Sequence, residues 1–364
     1  MLEIIFCTFA LLGALDKITG NHLKLGDEFE KGINSLGPLA LAMAGMVVIS
    51  PTLSIALTYI FKPITEFLHM DLSIISIFFA NDAGGAVIAR ELSDSAVWAN
   101  YHGMVVASMF GAMILLIPMA LRLVESKYHE DVLSGLLCGT ATIPIGCIIS
   151  GIMIGCPILG LLWHSLPLII LSAIICVGLI YNPELCRKIF KVVGVILNTL
   201  LTIGLALGIL HMMTGKLLIP EITPLSDAFG TILYIGVILC GIFPLLSIVS
   251  KLFNKIFSKM GKVVNINDSS VFGIITTLAN CIPMFDYFPK MDKKGRIMNT
   301  AFAVSAAYVF GDHMAFTLAL DRTYLAPVIV GKLISGITAL VVAHFVYNAS
   351  QNNGKKEDKV LINN

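Results

Sequence analysis

Charge is scarce in this 364-residue sequence. Asp, Glu, Lys and Arg make up 13% of it, against about 25% in a soluble domain, and no segment is long and polar enough to form a soluble catalytic domain. An excess of either sign is also missing. The net charge is +1, which leaves little to attract a nucleic acid. The eight cysteines form no C-x-x-C pair, and no His/Cys cluster has the spacing of zinc ligands. They read as small apolar fillers, so no metal or cofactor is expected. The H-E-x-x-H pattern of metalloproteases is absent. So is the G-x-G-D signature of intramembrane aspartyl proteases, because Val309 stands where its first glycine belongs, ahead of Phe310-Gly311-Asp312. An enzyme is not expected. The first fifteen residues carry Glu3 and no basic start, so they read as a retained first helix rather than a cleaved signal.

What the sequence does have is apolar length. It is 57% apolar, its mean hydropathy is +0.90, and its charges gather in islands between eleven apolar segments. These lie near 2–19, 36–60, 72–89, 103–121, 132–155, 158–180, 189–213, 230–250, 269–289, 298–320 and 325–347. About twenty apolar residues span the hydrocarbon layer as a helix, so the expected fold is an all-α polytopic membrane protein. Small-xxx-small pairs at Gly135/Gly139, Gly151/Gly155 and Gly204/Gly208 suit close helix packing in lipid. The stretch from 351 to 364 is polar and reads as a disordered cytoplasmic tail.

An internal repeat organises these segments. Pro51-Thr-Leu53-Ser54-Ile55 recurs as Pro244-Leu-Leu246-Ser247-Ile248, Ala80-Asn81 as Ala279-Asn280, and Phe110-Gly111 as Phe310-Gly311. From the Asn to the Phe is 29 residues in one copy and 30 in the other. The chain therefore divides into a unit at 1–157, a linker helix at 158–184 and a second unit at 185–350. Charge then bears on topology. If all eleven segments cross, the basic residues split 12 to 11, against the positive-inside tendency. If the third and ninth segments enter and leave on one side, only Lys62, Arg90, Lys216 and Arg322 lie opposite the rest, and the split is 19 to 4, with Lys332 inside a span. That arrangement has nine spans and two re-entrant or broken hairpins, the N-terminus outside and the C-terminus in the cytoplasm. It makes the two units inverted repeats, whose hairpins approach from opposite faces toward the midplane, where such transporters place substrate.

The polar residues at membrane depth fall in these hairpins and just beyond. The third segment carries Asn81-Asp82-Ala-Gly84-Gly85, and the glycines suit a hairpin tip. A carboxylate there costs roughly 2.5–3.5 kcal/mol to insert. Asp82 reads either as a helix cap at the break or as the contact for a cationic substrate. The ninth segment carries Thr276-Thr277-Leu-Ala-Asn280-Cys281-Ile-Pro283-Met-Phe285-Asp286. Pro283 disfavours helix at the preceding residue, and Asn280 either satisfies loose backbone there or binds a ligand. Asp286, nearer the basic end, reads as an interfacial partner for Lys290. Asp312-His313 in the tenth segment could hold a cation, relay protons or form a structural pair. Thr140, Thr142 and Pro144 read as a kink with hydroxyl repair. Phe79, Phe285, Tyr287 and Phe310 offer either cation–π faces or core packing.

These stretches also carry a resemblance. The segments LALAMAGM (39–46), TIPIGC (142–147), TLANCIPMF (277–285), AFAVSAA (301–307), GDH (311–313) and VGKLISGITA (330–339) resemble the EutH-type ethanolamine permeases of bacterial ethanolamine-utilisation systems. Relatives often carry Asn where Cys281 stands and no acid at 286. The resemblance implies a multi-pass protein of the bacterial plasma membrane that imports ethanolamine, which a cobalamin-dependent lyase then degrades without touching this chain. Ethanolamine is a small ammonium alcohol, so its site needs a carboxylate or an aromatic face and partners for the hydroxyl. Asp82, Asp312, Asn81 and Asn280 meet that need, with Thr277, Phe285 and His313 beside them. A passive channel for small amines or another small polar solute is the alternative. The expected partners are the substrate and the lipid bilayer; a homo-oligomer is left open.

Overall fold

A computed structural model describes residues 2–79 and 84–362. Described elements are all helical. In chain order these are α1 (Leu2–Ile18), α2 (Leu25–Asn34), α3 (Leu36–Phe67), a 3-10 stretch (Leu72–Phe79), α4 (Gly84–Leu92), α5 (Ala96–Asn100), a π-helical turn (Tyr101–Val106), α6 (Ala107–Leu123) and α7 (His129–Ile154). After α8 (Ile158–Tyr181) come α9 (Pro183–Thr214), α10 (Leu225–Val264), α11 (Asp268–Ala279), α12 (Ile282–Asp286), α13 (Lys293–Ala306), α14 (Asp312–Asp321) and α15 (Leu325–Ile362). The last of these continues through the polar stretch where a disordered tail is expected. Among the described residues, seven helical stretches are long and apolar enough to cross a bilayer. This is the make-up of a polytopic membrane protein. Apolar segments three, nine and ten are not among the seven as single helices: nine and ten are interrupted, and segment three is described as a 3-10 stretch to Phe79 and as α4 from Gly84.

Helices approach closely where glycine replaces a side chain. A Cβ on Gly45 of α3 would run into the Leu201 carbonyl of α9, and one on Gly204 of α9 into the Gly45 carbonyl. Gly135 and Gly139 let α7 lie against α13, and Gly146 lets it meet Gly331 of α15. Without a hydrophobic drive between helices in lipid, such backbone proximity supplies the van der Waals contact. Gly155 does otherwise: it ends α7 in the left-handed conformation (φ 88°) that glycine adopts without strain. The stretch through α5 and α6 is the most enclosed, whereas α8 and α9 turn residues such as Leu159, Ile174, Val192 and Ile196 outward.

Prolines inside spans leave carbonyls to satisfy. The carbonyl of Val47, which the Pro51 nitrogen cannot serve, accepts from Ser50 Oγ (3.0 Å). At the expected Pro144 kink, Thr142 Oγ1 lies 2.8 Å from the Gly139 carbonyl of its own helix and 3.2 Å from the Ser335 carbonyl of α15. Thr140 Oγ1 donates to Met113 Sδ on α6.

Two aspartates close loops in the chain. Asp71 accepts from Ser73 Oγ (2.5 Å) and Ser73 N just after it, and from Ser93 Oγ (2.7 Å), 22 residues on. Asp292 accepts from Asn267 N (3.0 Å), 25 residues back, from Ser270 Oγ (2.8 Å), and from Gly295 N at the start of α13. The Asn267 side chain also donates to the Lys290 carbonyl (2.8 Å). Each aspartate thus ties together the two ends of one interrupted segment.

Candidate functional site

The ninth segment breaks where sequence places the break. α11 ends at Ala279, Asn280 is extended (φ −158°, ψ 129°), and α12 starts at Ile282 with Pro283 in its first turn, a position where the missing N–H costs nothing. The Asn280 side-chain oxygen accepts from Ile282 N (2.8 Å), so it serves the loose backbone at the break. Thr277 is buried and donates to the Gly273 carbonyl (2.8 Å).

A second break, which the sequence reading did not expect, interrupts the tenth segment. Helix α13 stops at Ala306, Tyr308 takes a left-handed φ of 61°, and α14 begins at Asp312. The freed backbone groups pair with the end of α11: Tyr308 N donates to the Thr277 carbonyl (3.1 Å) and Phe310 N to the Leu278 carbonyl (2.8 Å). The two interruptions therefore repair each other, which is how non-helical backbone is tolerated at membrane depth. Tyr308 Oη lies 3.2 Å from Cys281 Sγ. The signal for this break was faint, because Gly311 was the sole helix-breaking residue nearby.

This pairing gathers several predicted residues. Thr277, Asn280, Asp312 and His313 fall around the paired interruptions, with Tyr308 added. Asp312 is half-buried in the first turn of α14; His313 is buried, with its ring 5.8 Å from that of Tyr308. Phe285 is directed elsewhere. It packs against Phe288 (5.9 Å), which stands edge-on to Tyr128. Gly84 and Gly85 open α4, while Asn81 and Asp82 lie outside the described residues. Lys290, read as a partner of Asp286, stands over the Tyr287 ring at 5.6 Å.

Other buried polar groups were given no role by sequence. Lys332 of α15 is fully buried, and its ammonium reaches the Ser108 carbonyl of α6 (3.3 Å). Buried Asp131 of α7 pairs with Arg296 of α13 at 2.6 Å. Isolated polar letters in apolar runs were the available signal. Their partners lie on other helices and leave no local trace.

The chain matches the family described as ethanolamine utilisation protein, EutH, over residues 1–346. It belongs to that family. A probable ethanolamine permease EutH of Listeria monocytogenes is 38% identical over 356 residues, covering 97% of this chain and 95% of the relative. The probable ethanolamine permease EutH of Escherichia coli K12 is 36% identical over 345 residues, covering 87% and 84%. An uncharacterized protein YxeR of Bacillus subtilis is 33% identical over 342 residues, covering 93% and 92%. No solved structure matches the chain. The family and its Listeria and Escherichia coli members are named as a utilisation protein and permeases rather than enzymes, and membership places this chain with them as a non-enzyme.

Proposed function

We propose that this protein carries ethanolamine into the cell by alternating access, at a midplane site between two inverted units (1–157 and 185–350, joined by the linker helix 158–184). The observation that carries the site is the paired interruption, where α11 and the start of α14 repair each other's backbone through Thr277, Leu278, Tyr308 and Phe310. Such discontinuous helices hold substrate in transporters built from inverted repeats. Support for the two hairpins comes from their roots. Ser93 is bonded to Asp71, and Asn267 to Asp292, which brings the two ends of each segment together, as a re-entrant hairpin requires. The family membership supplies the cargo, since relatives are named ethanolamine permeases.

In this reading the substrate ammonium sits by a carboxylate, Asp312 or Asp82, while Asn280, Asn81 and Thr277 surround the hydroxyl, with His313 behind; Phe285, packed against Phe288, is not part of the site. The hinges are Gly84, Gly85 and Pro283. The test is uptake of labelled ethanolamine into proteoliposomes. Saturable uptake and counterflow of preloaded substrate are expected; flux without either indicates a passive channel. Asp312→Asn and Asp82→Asn are expected to lower uptake at least tenfold, as loss of one charged hydrogen-bond partner does (about 1.5–3 kcal/mol). Normal transport by both variants overturns the site.

A further inference from the structure

The root of the first interrupted segment differs from that of the second in one respect. A buried histidine pair is attached to it. His102 lies in the π-helical turn and is fully buried; His164, two turns into α8, is 4% exposed. His102 Nδ1 is 2.7 Å from Ser73 Oγ, His102 Nε2 is 3.2 Å from His164 Nδ1, and Asp71 N points at His164 Nε2 (3.5 Å). Trp98 of α5 stacks on His164 with ring centroids 4.0 Å apart, and on His102 at 5.7 Å. The root closed by Asp292 has asparagine, serine and backbone partners in its place. A π-turn frequently marks a functional position.

One proton assignment satisfies this circuit. The Asp71 N–H can only donate, so His164 Nε2 accepts and His164 Nδ1 carries the hydrogen. His102 Nε2 then accepts from it, His102 Nδ1–H donates to Ser73 Oγ, and the Ser73 hydroxyl donates to the Asp71 carboxylate. The opposite direction would set an N–H of His164 against the N–H of Asp71. Both rings are therefore neutral when the root is closed, and an added proton has two places to go. On His102 Nε2 it would break the histidine–histidine bond. On His164 Nε2 it displaces only the longest contact, and it arrives beside half-exposed Asp71, where water has access.

The geometry points to a proton-binding site at His102–His164 that latches the first interrupted segment when neutral and releases it when protonated. Acceptance of a proton turns His164 Nε2 from acceptor to donor. The contact with Asp71 N becomes repulsive, while the imidazolium draws on the Asp71 carboxylate that now holds Ser93 and Ser73. Asp71 is the acidic residue beside the pair, its backbone N–H on His164 and its carboxylate joined to His102 through Ser73. Around it, Tyr101 shares the turn, with the thiols of Cys147 and Cys156 near its ring. Arg90 of α4 is directed to Asn100 (3.0 Å), and His69, at the end of α3, to the Phe67 carbonyl (3.1 Å). Glu91 and Asp94 of the same root are exposed. In the topology proposed above, this root faces outside.

The chain has two tryptophans, Trp98 and Trp163, which gives a direct readout that needs no substrate. In full-length Trp163→Phe protein in nanodiscs, Trp98 is the sole reporter, and a protonated imidazole stacked on it quenches its emission. Acidification from neutral pH through the histidine range and below it is expected to lower the emission at least twofold along a single titration curve. Adding His164→Gln, whose amide can still donate and accept, should flatten that curve. Hydrogen exchange in the Leu72–Phe79 peptide, corrected for intrinsic rates, should rise over the same range and stay constant in the Gln variant. A flat emission curve in the Trp163→Phe protein, a titration that survives His164→Gln, or exchange that ignores pH overturns the proposal. His102→Gln is the second variant should His164→Gln not fold, with the same outcomes expected. None of these readouts depends on which solute is carried.

Discussion

The Asp131–Arg296 pair shows what single residues contribute here. The Asp131 side chain is 6% exposed and that of Arg296 13%. The guanidinium also donates to the Met291 carbonyl and covers the Tyr128 ring at 4.3 Å. Lys293 approaches the same carboxylate at 3.9 Å. Asp131→Asn leaves a buried guanidinium without its counter-charge, a change that costs about 3–5 kcal/mol. A clearly lower thermal midpoint in detergent is expected, with a smaller loss for Asp131→Glu; an Asn variant as stable as the parent would contradict the pairing. The charges at 131 and 296 were plain in the sequence, but their partnership across 165 residues was not. Asn280 is the converse. Sequence left its role open, and the bond to Ile282 N shows it serving the backbone at the break, which still permits a ligand on its amide face.

At the scale of elements, the crossing of α3 and α9 depends on absent side chains. Gly45 and Gly204 each face the other helix's backbone, while Gly194, also on α9, has open space around it. Gly45→Leu should force the helices apart, an overpacking that costs about 1–3 kcal/mol. Gly194→Leu should be close to neutral. Thermal unfolding of the two variants side by side checks this; equal stability would mean the crossing is not close. The glycine spacing at 204/208 hinted at an interface, but its partner, Gly45, belongs to no such pair. The interrupted elements divide similarly. Asn280 with Pro283 announced one break through local dihedral preference. The break at Tyr308 was hidden because the carbonyls that stabilise it belong to α11.

For the whole molecule, the topology we propose makes its own prediction. In a cysteine-free background, a cysteine placed at Lys62 or Lys216 should react with an impermeant maleimide on intact cells. One placed at Lys188 or Lys262 should react only after permeabilisation. The reverse pattern would invert the chain, and labelling of all four on intact cells would dismantle the nine-span arrangement. Hydropathy and charge placement were enough, from sequence alone, to indicate a helical polytopic chain, and the matching motifs gave its resemblance to the EutH family. The helical, polytopic character follows from composition and periodicity, which act over one or two helical turns. Tertiary structure alone decided that two interruptions repair each other, that aspartates close the segment roots, and that His102 meets His164 beneath Trp98. These contacts join residues 22 to 62 positions apart, and they depend on how each helix is rotated and displaced against its neighbours. Among apolar helices in lipid, that rotation is set by the shapes of both partners together, and neither helix encodes it by itself.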